Sequence, residues 1–99
     1  MDEMLQIALG ATRVLDDLGV NWFLGGSLAS SLLGIPRATL DADIVADISI
    51  QHVKPMLHAL GDAWYTDETA IREAIHSRSC FNLIHYETAM KVYVFIPKR

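Results

Sequence analysis

The chain has 99 residues, 52% of them hydrophobic, and a formal net charge of −4. That length suffices for one domain with one core, so residues 1–99 are read as a single unit. The acidic balance argues against a general nucleic-acid binder, which would carry a basic face. The single cysteine, Cys80, excludes an internal disulfide and fits a reducing cytosol. No apolar run reaches the ~18 residues that a membrane span needs. No secretory leader is expected ahead of Asp2 and Glu3, so the expectation is a cytoplasmic protein that does not engage a membrane.

Met1 to Leu18 is predicted as an amphipathic helix. Met4, Ile7, Ala8, Ala11, Val14, Leu15 and Leu18 recur at helical spacing, Asp16 and Asp17 fall on the wet side, and Gly19 closes it. Trp22, Phe23 and Leu24 then form a short apolar run of strand type. Gly25 and Gly26 end it, since two glycines allow backbone angles that other residues resist. Ser27 is a good cap for a helix from Leu28 to Leu33, stopped by Gly34 and Pro36. Arg37 lies in the following loop, where a surface salt bridge is the default and a phosphate contact the alternative; Thr39 enters the next strand.

Leu40 to Ile48 alternates. Ala42, Ile44, Ala46 and Ile48 share one face; Asp41, Asp43, Val45 and Asp47 share the other. Carboxylates at i and i+2 on a strand point the same way from Cα atoms ~6.5–7 Å apart. Left unpaired they repel, and one tends to hold its proton. A divalent cation between them removes the conflict, and Mg²⁺ favours carboxylate oxygens together with substrate phosphates. The Gly25-Gly26-Ser27 turn complements this, because exposed backbone N–H groups at a helix start bind phosphate and absent side chains let it approach. A lone Gly-Gly-Ser is usually a turn, and a lone Asp-x-Asp is usually a solvated strand edge. In this order, on neighbouring segments, they suit a nucleoside triphosphate site with Asp41 and Asp43 as metal ligands. Asp47 shares the face of Asp43 but sits ~13 Å further along, and it reads as a strand-end residue and not as a metal ligand.

Ser49 to Leu60 is predicted as a helix with Val53, Met56, Leu57 and Leu60 inward and Gly61 as its stop. Pro55 falls uncomfortably far inside, so the helix either starts later than Ser49 or bends. His52 and His58 lack the i, i+4 spacing of paired ligands and read as surface residues. Trp64 and Tyr65 make a short edge strand, and Thr66 or Asp67 caps a helix from Glu68 to Ser77 with Ala70, Ile71, Ala74 and Ile75 as its apolar set. Cys80 to Tyr86 and Lys91 to Ile96 read as two strands of a hairpin joined by Glu87 to Met90. Cys80 sits in an apolar run and reads as a buried, inert thiol. In the last strand Val92, Val94 and Ile96 suit a helix-packed face, which turns Tyr93 toward the face of Asp41 and Asp43; Pro97 ends it.

The run from Leu24 to Asp47 resembles the nucleotidyltransferase superfamily that shares its core with DNA polymerase β. Within it, the chain looks like the small prokaryotic nucleotidyltransferase-like proteins related to abortive-infection toxins. The resemblance rests on Gly25, Gly26, Ser27, Arg37, Thr39, Asp41 and Asp43, and on the later stretch from Arg78 to Lys98. It implies that Gly25, Gly26 and Ser27 hold the triphosphate and that Asp41 and Asp43 are catalytic and bind Mg²⁺ or Mn²⁺. One departure stands out. The family pattern carries a third acid in a stretch like Lys-Val-Asp-Val-Phe, and here that stretch is Lys91-Val92-Tyr93-Val94-Phe95. A phenol is a poor base at neutral pH and a poor ligand for a hard cation, so binding is better supported than turnover. The resemblance also implies helices after the last strand, so the chain reads either as a piece of a longer protein or as a minimal version.

The expected fold is a single α/β (α+β) nucleotidyltransferase-like domain. It has a mixed sheet of about four or five strands, helices on one face and a cleft on the other. The expected activity is metal-dependent transfer of a nucleoside monophosphate from an NTP to a hydroxyl on RNA, a protein or a small molecule. The alternative is an impaired nucleotide- or metal-binding module that works through a partner, as in a toxin–antitoxin pair. High apolar content for so small a domain points to a protein partner or a homo-oligomer, or to a missing C-terminal part.

Overall fold

The computed structural model describes residues 3–24 and 41–98. Its elements run α1 (Glu3–Asp17), β1 (Trp22–Leu24), β2 (Asp41–Ala46), α2 (Val53–Leu60), β3 (Trp64–Tyr65), α3 (Glu68–Ser77), β4 (Cys80–His85) and β5 (Lys91–Phe95). Two 3₁₀ turns, Ile50–His52 and Gly61–Ala63, flank α2. The five strands form one mixed sheet in the order β1-β2-β5-β4-β3. Only β2 and β5 run parallel among its neighbouring pairs, and the other three pairs are antiparallel. The result is a single α+β domain with three helices over a five-strand sheet.

Strand alternation puts the core on one side of this sheet. Ala42, Ile44 and Ala46 of β2, Val92 and Val94 of β5, and Phe81 and Leu83 of β4 are all buried. The helices bring their own apolar stripes to that side: Ala8, Ala11 and Leu15 from α1, Val53, Met56 and Leu60 from α2, and Ile71 and Ala74 from α3. α1 lies against β2 and α2, and α3 lies against β4 and α2. Complete burial of a side chain the size of Ile44 stabilises the fold by about 1.5–3 kcal/mol. Ala70, expected in the inward set of α3, is exposed instead, and the inward set is Ile71 and Ala74 with Ile75 half-buried.

The helix boundaries follow local chemistry. α1 stops at Gly19, whose φ of +73° favours glycine. The Gly19 N–H donates to the Asp16 carbonyl and the Val20 N–H to the Leu15 carbonyl, which satisfies two carbonyls of the last turn. The Trp22 indole N–H donates to Asp16 Oδ1 at 2.7 Å and ties this stop to β1. The tension at Pro55 resolves by a late start: α2 begins at Val53, so Pro55 sits in its first turn, where its missing N–H costs no helix bond. Ahead of it the Ser49 N–H donates to His52 Nδ1 at 3.0 Å, so this histidine closes a turn. Asp67, rather than Thr66, caps α3 by accepting the Ala70 N–H at 3.1 Å.

Removal of that cap is expected to be felt globally. Asp67→Ala should lower unfolding free energy by about 1 kcal/mol in a denaturant titration, while Asp67→Asn should stay close to wild type. A second expectation concerns acid. The Arg72 guanidine N–H donates to Glu68 Oε2 at 2.9 Å, and this bond, with a smaller contribution from Lys54, holds the Glu68 carboxyl below its ordinary range. A lowered carboxyl favours the folded state at pH values above its unfolded range and loses that contribution as pH falls through the folded value. Both partners meet water, so the effect is small. Glu68→Gln should lower the thermal midpoint slightly near neutrality and leave it unchanged at the acid end, so that the acid limb of a plot of midpoint against pH is flatter.

Candidate functional site

The face of the sheet opposite the helices is covered by no described element. Its side chains are set by register. Asp43 of β2 is level with Tyr93 of β5, and Tyr93 is level with Asn82 of β4. This gives a polar row across the three central strands, and all three residues are half-buried. Adjacent strands are ~4.8 Å apart, so the row runs ~10 Å from Asp43 to Asn82. Asp41 stands two positions before Asp43 on β2, at the register position of Lys91. Tyr93 therefore lies beside the acidic strand, on the side of the sheet that the alternation of Val92 and Val94 requires.

A neighbouring row on this face is apolar. Phe23 of β1, Val45 of β2, Phe95 of β5 and Cys80 of β4 are aligned in turn. Phe23 is 62% exposed and Phe95 40%, which is much for residues of this size. Cys80 is exposed as well. That corrects the expectation of a buried thiol. The apolar run around Cys80 belongs to a strand with two unlike faces: Phe81 and Leu83 enter the core, and Cys80, Asn82 and Ile84 turn the other way. The polar Asn82 inside that run was the available signal, and it also marks the residue that the sequence reading missed.

Beyond Tyr93 the face dips into a pocket of about 370 Å³ between β4, β5 and the start of α3. Tyr65, Asp67, Cys80, Phe81, Asn82 and Tyr93 line it, with Ala70 from the first turn of α3. Tyr65 also makes an edge-to-face contact with Tyr86, their ring centres 6.5 Å apart, so the rim of the pocket is aromatic.

Gly25, Gly26 and Ser27 lie outside the described residues, as do Arg37, Thr39 and the helix expected from Leu28 to Leu33. What is described is that β1 ends at Leu24, paired with Ile44, the residue after Asp43. Asp47 follows β2, and its N–H donates to the Asn21 carbonyl. Arg72 is held by Glu68, and Arg78 donates to the Pro97 carbonyl at 3.2 Å. Among the described residues no group of three or more His, Cys, Asp or Glu side chains is placed to hold a metal ion.

No family model matches the chain, and neither a curated protein nor a solved structure matches it significantly.

The position of Cys80 gives a direct check on this face. Iodoacetamide should alkylate it in the native protein at a rate within a few-fold of that in the denaturant-unfolded chain. Mass spectra of timed aliquots would show this. Alkylation only after unfolding would mean that the thiol is covered.

Proposed function

We propose that the chain is a metal-dependent nucleotidyltransferase-like protein that moves a nucleoside monophosphate from an NTP to a hydroxyl acceptor. The observation that carries this reading is the parallel pairing of β2 with β5, in which Asp43 is level with Tyr93 on the helix-free face. The Asp-x-Asp strand and the strand of the altered Lys-Val-Asp-Val-Phe pattern are thus direct neighbours, as shared work on one substrate requires.

The donor set fits a hard cation in kind, since Asp41 and Asp43 stand two apart on one strand and carboxylate oxygen is what Mg²⁺ or Mn²⁺ prefers. Bound there, Mg²⁺ would neutralise phosphate charge and polarise the α-phosphorus. The chain's own contribution would be to orient the triphosphate. Asp41 and Asp43 would fix its metal-bound end, and Gly25, Gly26 and Ser27 would grip its oxygens through backbone N–H groups. The acceptor hydroxyl attacks the α-phosphorus in line, a new P–O ester bond forms, and the bond to pyrophosphate breaks. Tyr93 stands where the family pattern has a third carboxylate, so no carboxylate at that position takes the hydroxyl's proton, which would pass to solvent water.

That last point favours a second reading, an impaired nucleotide- and metal-binding module that acts through a protein partner. The exposed Phe23 and Phe95 on the same face supply apolar surface of the sort a partner would cover.

The two readings separate in one experiment. The protein is incubated with labelled NTPs and Mg²⁺ or Mn²⁺, with total RNA and cell lysate as acceptors. Under the first reading label is transferred, and Asp41→Asn/Asp43→Asn lowers the rate by about 100-fold or more, the scale of losing electrostatic stabilisation of the reacting group. Transfer seen only in Tyr93→Asp, or metal-dependent nucleotide binding without transfer, supports the second. Neither binding nor transfer in any variant overturns both.

A further inference from the structure

The pocket beyond Tyr93 has a chemistry distinct from that of the acidic strand. Tyr65 and Tyr93 supply phenol rings, Asn82 an amide with both donor and acceptor atoms, and Asp67 a carboxylate. Among the described residues no cationic side chain lines it, so none of them balances a phosphate there. Aromatic walls with a few convergent polar groups suit a flat, uncharged heterocycle that stacks on a ring and is read along its edge.

The carboxylate narrows the choice. Asp67 Oδ1 accepts the Ala70 N–H, which pins the group at the start of α3, and the carboxylate lines the pocket. A carboxylate only accepts, so it selects an edge with donors side by side. Guanine presents such an edge, its ring N1–H next to its 2-amino group. Adenine offers one amino donor beside a ring acceptor, and uracil one N–H between carbonyls. The neighbouring Asn82 amide complements the remaining acceptor of the guanine edge, the O6 atom.

We propose that this pocket is a guanine-selective base site, with the ring against Tyr65 and its hydrogen-bonding edge at Asp67 and Asn82. Two sources carry this chemistry: the base of a bound GTP, or the guanosine end of an acceptor. Either would lie within reach of the reaction, because Asn82 is two strands, ~10 Å, from Asp43. Only this last step rests on the nucleotidyltransferase reading; the recognition of the base stands on the pocket itself.

Cys80 lines the pocket and is the chain's single cysteine, so its alkylation rate reports occupancy in the intact protein. Metal-free guanosine should slow alkylation several-fold and saturably, and adenosine or uridine at equal concentration should slow it less. Tyr65→Leu should raise the half-protecting guanosine concentration by about tenfold, the scale of one lost base stack, and Tyr65→Phe should leave it unchanged. Asp67→Asn, which keeps the helix cap, should abolish the preference for guanosine. In a further arm with GTP and Mg²⁺, protection tighter than guanosine's that falls to guanosine's level in Asp43→Asn identifies the triphosphate's own base. Protection equal to guanosine's identifies a nucleoside end; both results uphold the site, and so does metal-free protection in a protein that transfers no label. An alkylation rate indifferent to every nucleoside, or protection unchanged in both Tyr65→Leu and Asp67→Asn with folding verified by circular dichroism, overturns it.

Discussion

The parallel pairing of β2 with β5 governs what meets on either side of this sheet. Side chains alternate along a strand, so a slip of one residue would exchange the two faces of whichever strand moved. In β2 that would drive Asp43 under the helices and lift Ile44 into solvent. Ile44, fully buried, and Val92 and Val94 beside it therefore hold the register, and the register aligns Asp43 with Tyr93. The polar row is in this sense a by-product of the apolar one beneath it: hydrophobic burial, non-directional in itself, fixes the positions of the groups that could do chemistry.

That dependence gives the helix-free face three zones. Phe23, Val45, Phe95 and Cys80 form an apolar band, Asp43, Tyr93 and Asn82 a polar one, and the pocket with Tyr65 and Asp67 closes the β3 side. A formal charge of −4 on the whole chain makes a phosphate-bearing ligand dependent on a cation or on backbone amides to bind. Under the proposed function the acidic strand would take a cation-borne ligand, and the aromatic pocket beside it, which carries the Asp67 carboxylate, the uncharged portion of one.

Much of this was legible in the sequence wherever a period was unambiguous. Ala42, Ile44, Ala46 and Ile48 alternate without interruption and are all buried, and the stripe of α1 delivers Ala8, Ala11 and Leu15 to the core. Asp67 and Gly19 marked helix ends through chemistry that acts within one turn. Less legible was what depends on distant partners. Neighbours in the order β1-β2-β5-β4-β3 lie far apart in the chain where β2 meets β5, and no local pattern announces that pairing. Cys80 was misplaced because a run of apolar neighbours was weighed by composition instead of by its period of two. The pocket was invisible for a related reason: Tyr65, Asp67, Asn82 and Tyr93 come from separate elements and converge only once the sheet exists.

The sheet's outer strands bear on solubility. Among the described residues β1 spans three residues and β3 only two. As outermost strands β1 and β3 each offer a stranger chain only a short row of amides and carbonyls, while β3 pairs with only Ile84 and His85 of β4. Phe23 and Phe95 are exposed on one face among the described residues, and the shortness of β1 and β3 limits how long a ribbon could pair along either of them.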